Sequence, residues 1–254
     1  MTLPAILVTG AARRIGAEIA RRFAAEGWHV VIHCNRSRGE AEELAANLPS
    51  AEVVTCDLAD PEASVEMVEA LAGELGDWRV LVNNASIFCE DDVTELDIAA
   101  FGETMRVNTA TPALMAQAFL AHARAKGGRR VIDITDQKLA NPNPDFFTYT
   151  MSKHALAATV PMLAMGAALP GDRVYALAPG AILPSYDQSE EEFEISGRMN
   201  LLKRMTPPEE VAGAAWFLAQ GWLASGSRIF VDSGQHLLSQ QRDVMFLARE
   251  ELAG

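Results

Sequence analysis

Short, almost continuous apolar runs alternate along the chain with segments whose apolar residues recur at helical spacing. Ala5-Ile-Leu-Val8 reads as a strand buried on both faces, and Ile19, Ala20 and Phe23 mark the helix that follows it to Gly27. The same alternation predicts a strand over 28–33, a helix over 39–48, a strand over 52–56 and a helix opened by Pro61, a residue suited to a first helical turn. A fourth strand is expected over 79–82. The segment 96–125 then carries apolar residues at helical spacing, with Asn108 in its middle. A strand over 130–135 and a helix from about Tyr149 to Leu169 come next, the helix expected to kink at Pro161. Strands over 173–178 and 228–231 frame an acidic, weakly patterned stretch from Ala181 to Pro208, long enough to form a lid, and a helix over 209–219. Seven such βα-like alternations with right-handed crossovers predict an α/β fold: one doubly wound, Rossmann-like parallel sheet with helices on both faces.

Composition narrows this picture without changing it. The 254 residues suit one domain spanning 1–254, with no internal repeat or linker. A formal net charge of -13 argues against nucleic-acid or anionic-membrane partners, and makes local arginines decisive for any anionic ligand. Cys34, Cys56 and Cys89 are an odd number without metal-type spacing, so neither a disulfide framework nor a metal site is expected. No apolar run approaches membrane-spanning length, and the first residues lack a signal-peptide pattern, which makes the cytoplasm the expected compartment.

Candidate chemistry sits where the predicted strands end. The first strand runs into Thr9-Gly10-Ala-Ala-Arg-Arg-Ile-Gly16, and a strand, glycine turn and helix in succession point backbone N–H groups at a phosphate. The middle glycine of the usual dinucleotide fingerprint is missing, so a plain tight turn is the alternative. After the second strand comes Cys34-Asn-Arg36-Ser37 with no acid before Glu40, which favours the 2′-phosphate of NADP over the ribose hydroxyls of NAD. Asn83 and Asn84 close the fourth strand and would serve equally as turn formers. Asparagine is a poor residue inside a helix, so Asn108 is either functional or tied to a neighbouring strand. Tyr149 and Lys153 are four residues apart at the start of a helix and share one face, where an ammonium would ease loss of the phenolic proton.

Taken together, Thr9-Gly10…Gly16, Asn83-Asn-Ala, Asn108, Tyr149-x-x-x-Lys153 and Pro179-Gly180 resemble the short-chain dehydrogenase/reductase family from Ala5 to about Leu237. The resemblance implies hydride transfer with a nicotinamide cofactor. Tyr149 would be the proton donor, Lys153 would bind the nicotinamide ribose, and Asn108 would hold a relay water. It also implies a homotetramer built on the helices over 96–125 and 149–169. Asp136 stands where most members have serine. With Arg13-Arg14, His33-x-x-Arg36-Ser37 and Ser86-Ile-Phe88, it is similar to the pteridine and dihydromonapterin reductases. Carried over, NADPH would lie on Gly10, Arg13, Arg14, Ile15 and Gly16, on His33, Arg36 and Ser37, and on Asp57 and Leu58. Asn84, Ala85, Ser86, Tyr149, Lys153, Pro179 and Gly180 would complete its site. The substrate would meet Arg14, Ser86, Phe88, Asp136 and Tyr149, with Phe88 stacked on a pterin ring and Asp136 joining Tyr149 in proton delivery. Ser233 replaces a frequent family glycine. The expected activity is NADPH-dependent reduction of a dihydropterin. A carbonyl or 3-oxoacyl-thioester reductase and a non-catalytic NADPH sensor are the alternatives.

Overall fold

A computed structural model describes residues 2–185 and 187–254; Met1 and Tyr186, the latter inside the expected lid, lie outside the described residues. The elements are β1 (Ala5–Val8), α1 (Arg14–Ala25), β2 (His29–Cys34), α2 (Arg38–Ala46), β3 (Ala51–Thr55), α3 (Pro61–Glu74) and β4 (Trp78–Asn83). They continue with α4 (Ile98–Met105), α5 (Thr111–His122), β5 (Arg130–Ile134), α6 (Phe147–Gly166) and β6 (Arg173–Pro179). α7 (Glu190–Ser196), α8 (Pro208–Ala219), β7 (Arg228–Val231) and α9 (Val244–Ala253) complete the chain. All strand pairs are parallel, in the order β3-β2-β1-β4-β5-β6-β7.

Each apolar strand serves two cores because successive side chains point to opposite faces. In β1, Ile6 and Val8 pack with Ile19, Phe23, Leu44 and Val211 on one face. Ala5 and Leu7 pack with Val68, Met115, Phe119 and Val160 on the other. That is why the strand patterns read as unbroken apolar runs. The chain winds outward from β1 to β3, then returns to place β4 on the other side of β1. At this reversal neighbouring βα loops diverge, leaving a crevice at the strands' C-terminal ends.

Two expectations need correction. The continuous helix over 96–125 is two helices joined by a π-helical turn over Arg106–Ala110, with Asn108 inside it. Asn108 sits in the turn because its side chain has partners elsewhere. The stretch 181–208 is not structureless: Ser189 and Glu192 form a reciprocal capping box that starts α7, in spite of the weak apolar pattern. Pro161 lies inside α6, which runs as one helix from Phe147 to Gly166. At Ser233 the backbone has φ 52°, a conformation glycine adopts freely, and its Oγ meets Thr206 Oγ1 at 2.6 Å.

Candidate active site

The glycine loop owes its shape to contacts from three strands. Thr9 Oγ1 accepts from the backbone N–H groups of Asn84 and Ala85 at 2.9 and 3.0 Å, locking the end of β1 to the end of β4. Asn84 Nδ2 donates back to the carbonyls of Thr9 and Gly10. Gly10 has φ +62°, and a Cβ on Gly16 would stand 2.6 Å from the Gly10 carbonyl and 2.9 Å from Ala11 Cα, so a side chain has no room there. α1 starts without a side-chain cap, as does α2 at Ser37, leaving first-turn N–H groups of both helices for an anion. Arg14, the first helical residue, has φ 57° and donates from Nη2 to the Pro184 carbonyl at 2.9 Å. The loop is thereby tied to the 181–208 stretch.

His33 is buried with both ring nitrogens engaged. The Gly10 N–H donates to Nδ1 at 3.1 Å and Nε2 lies 3.1 Å from the Cys56 carbonyl, which defines a neutral ring protonated on Nε2. Burial pushes its pKa down to about 4. Its two hydrogen bonds hold the loop, and His33 also lines the cavity with the other expected cofactor residues. Arg36 is exposed and makes no ion pair among the described residues, whereas Arg13 lies 3.6 Å from Glu40 and Arg38 pairs with Glu42.

At the other end of the crevice, Asp136 follows β5 and Tyr149 opens α6. Tyr149 OH donates to Asp136 Oδ2 at 2.9 Å, while Asp136 Oδ1 accepts from the Lys138 N–H at 2.8 Å and caps a 3-10 turn over Gln137–Leu139. Lys153 Nζ donates to the Ile134 carbonyl at 2.8 Å, with the Tyr149 ring centroid 5.5 Å away. Burial, and then the adjacent Asp136, raise the Tyr149 phenol well above its ordinary range. Burial likewise raises Asp136, against the hydrogen bonds it accepts, and lowers Lys153 to about 8. These three groups form a desolvated set in which proton and charge positions depend on one another.

Asn108 ties this set to the loop after β4. Its Oδ1 accepts from the Ile87 N–H at 2.7 Å, and its Nδ2 donates to the Ile87 carbonyl and to Ser152 Oγ. Both amide hydrogens are spent within the protein. Phe88, just beyond, stacks on Phe146 with centroids 4.2 Å apart and meets Tyr149 edge-on at 4.7 Å.

One cavity of about 830 Å³ is lined by every expected cofactor and substrate residue, from Gly10 through Phe88 and Asp136 to Gly180. Asn108 alone among the expected site residues is not part of its lining. The cavity also takes in residues that the sequence pattern did not single out: Gln137 and Lys138, Phe193 and Ser196 from the 181–208 stretch, and Asp243, Val244 and Met245. No periodicity or motif marks these, because they gather only through folding. Among the described residues no cluster of His, Cys, Asp and Glu could hold a metal, and no helix is long and apolar enough to cross a membrane.

The parallel sheet, the glycine turn and the Tyr149/Lys153 pair define an oxidoreductase of the short-chain dehydrogenase/reductase family, and the chain belongs to it. The family model described as enoyl-(acyl carrier protein) reductase matches residues 10–236. Among solved structures, FolM alternative dihydrofolate reductase 1 from Brucella canis, complexed with NADP, is similar with a TM-score of 0.86 and 37% identity, over 94% of this chain and 96% of that one. Among curated proteins, human dehydrogenase/reductase SDR family member 4 is 32% identical over 84% of this chain and 79% of its own length. Pteridine reductase 1 of Leishmania tarentolae is 28% identical over 93% and 97%.

Proposed function

We propose that the protein is an NADPH-dependent reductase of a dihydropterin, yielding the tetrahydropterin. The carrying observation is the 2.9 Å hydrogen bond from Tyr149 OH to Asp136 Oδ2 inside the shared cavity. The glycine loop fits a dinucleotide: Gly16 has no space for a Cβ, the first turns of α1 and α2 lack side-chain caps, and among the described residues Arg36 makes no ion pair where a 2′-phosphate would lie. Bound NADPH supplies the hydride. Arg36 and Ser37 would hold its 2′-phosphate, Arg13 and Arg14 its charged middle, and Lys153 its nicotinamide ribose.

The chain's own residues handle the proton. An ionised Asp136 only accepts hydrogen bonds, so it suits a ring edge presenting N–H and amino donors and suits a carbonyl oxygen poorly. Tyr149 shares a proton with it and can pass one to the ring nitrogen beside the carbon that receives hydride. Burial raises both groups, which favours a proton held between them over two separate charges. Lys153 keeps positive charge close to the pair. With both of its side-chain N–H groups occupied, Asn108 acts by shaping the turn that carries Ser86 and Phe88.

Phe88 would pack against the pterin ring, backed by Phe146. The stretch 181–208 would close over the site, with Arg14 as its tie to the glycine loop. The chain would assemble as a tetramer through the helices of 96–125, α4 and α5, and through α6, where Ile98, Leu114, Met162 and Met165 are exposed apolar residues. NADPH oxidation followed in parallel with dihydropterins, dihydrofolate and a panel of ketones tests the reading. Turnover of dihydropterins well above that of ketones is expected; efficient ketone reduction with no pterin turnover would replace it with a carbonyl reductase.

A further inference from the structure

The family match ends at residue 236, yet Asp243, Val244 and Met245 line the cavity beside Tyr149. These residues are held by an unusual buried group. Lys138 Nζ lies 2.8 Å from Asp243 Oδ2 and donates to Asn143 Oδ1 and to the Asp145 carbonyl, each at 3.0 Å. Three acceptors occupy the three donors of its ammonium, so Lys138 has none left for a ligand. Its charge also sits 5.0 Å from the centroid of the Phe146 ring.

Asp243 in turn caps α9, accepting from the Met245 N–H at 3.0 Å. The Asp145 carboxylate fixes the preceding turn by accepting from the Asp243 N–H at 2.7 Å and from Arg242 Nε at 2.8 Å. Met245 is buried against Phe146 and Tyr149, the cluster into which Phe88 packs. On its other side, Lys138 offers its backbone N–H to Asp136 Oδ1. A single residue therefore touches the proton-delivering carboxylate through its main chain and the C-terminal wall of the cavity through its side chain.

We propose that Val244 and Met245 are specificity-determining residues that contact the substrate, and that Lys138, through its buried pair with Asp243, is a positioning residue that sets this wall in register with Asp136 and Tyr149. A pair placed only for stability needs no cavity beside it. This one joins a segment outside the family match to the hydrogen-bonded pair at the centre of the site. The inference rests on the proposed use of Asp136 and Tyr149, and reaches beyond it by assigning substrate discrimination to the C-terminal segment.

The test compares Met245→Ala, Lys138→Met and Lys138→Arg with the parent. It uses dihydropterins with and without a side chain on the ring and reads KM, kcat and NADPH affinity by fluorescence. Met245→Ala should raise the substrate KM about tenfold and change the preference between the two pterins by about fivefold or more, with NADPH affinity within about twofold of the parent. Lys138→Met should raise the same KM, and Lys138→Arg should recover part of the loss. Unchanged KM and preference in Met245→Ala would overturn the inference, and that variant decides the matter should Lys138→Met fail to fold. A parent that reduces only ketones would instead defeat the pterin reading. Discrimination between small and bulky ketones by Met245→Ala would then be measured in the same way.

Discussion

The two ends of the cavity are built by different means. At the glycine loop, binding groups come from main chain: backbone N–H groups, the uncapped starts of α1 and α2, and a Thr9 hydroxyl and an Asn84 amide that lock β1 to β4. At the substrate end, side chains from segments far apart in the chain converge, among them Phe88, Asp136, Tyr149, Phe193 and Met245. The charge differs as well. Arg13, Arg14 and Arg36 line the loop end, whereas at the other end Asp136 and Asp243 lie beside Lys153 and Lys138, and the α7 turn opens with Glu190, Glu191 and Glu192. A main-chain site tolerates sequence change as long as glycines remain where no side chain fits. A side-chain site changes its ligand with one substitution.

The comparison is broken most severely at Gly16. Gly16→Ala would put a methyl 2.6 Å from the Gly10 carbonyl, a backbone atom that cannot swing aside. Overpacking of roughly 1–3 kcal/mol, up to about a hundredfold, should appear in NADPH affinity by fluorescence titration, and unaltered affinity would show that the loop is not the cofactor cradle. Arg36→Ala tests the side-chain contact assigned to the cofactor's 2′-phosphate. Losing a charge-assisted bond of roughly 1.5–3 kcal/mol should erase about ten- to a hundredfold of the preference for NADPH over NADH in kcat/KM. Equal use of both cofactors by the parent would remove the basis for that assignment.

Phe88→Ala sharpens the comparison from the substrate side. Pterin affinity should fall by roughly 1–3 kcal/mol, by analogy with base–aromatic stacking, while NADPH affinity holds. A parallel loss of NADPH affinity would mean that Phe88 mainly supports Phe146 and Tyr149, the neighbours it packs against.

The smallest effect belongs to the floor between the two ends. Asp133 is buried in β5 and accepts from Asn83 Nδ2 at 2.8 Å, while Asn83 Oδ1 is buried without a partner among the described residues. Lys153 on α6 is the charged group that acts on it, and burial pushes its pKa up to about 7 against an ordinary 3.8. Between about pH 4 and 7 the folded protein keeps this proton and the unfolded chain releases it, so stability falls as pH rises through that window. Asp133→Asn cannot ionise, and its amide can donate to Asn83 Oδ1. Relative to the parent it should gain a few degrees in Tm at pH 8 and little at pH 4, on the order of 1–3 kcal/mol. An equal difference at both pH values would mean that Asp133 does not titrate in this range.

The same contrast explains what could be read before folding. Apolar runs such as Ala5–Val8 announce buried parallel strands, and Gly10, Gly16, Tyr149 and Lys153 lie at spacings that main-chain and helix geometry require. The order of strands and the crevice at the β1/β4 reversal follow from that alternation. The π turn at Asn108 left no periodic trace, because its cause is a side chain spent on Ile87 and Ser152 far away in sequence. Helix α7 was hidden because its start is specified by a capping box and not by an apolar stripe. His33 lines the cavity as its position predicts, and only its two hydrogen bonds show that it also holds the loop. Lys138 and Asp243 are 105 positions apart, a separation at which one sequence carries no sign of contact.

The central claim is that a carboxylate hydrogen-bonded to Tyr149 suits this site to a pterin, and Asp136→Ser tests it most directly. Dihydropterin turnover at saturating NADPH is measured for parent and variant, with NADPH affinity as the control for folding. A loss of roughly a hundredfold or more in turnover, typical of removing a general acid–base group, is expected with NADPH affinity preserved. A variant that reduces dihydropterins as fast as the parent would contradict the account.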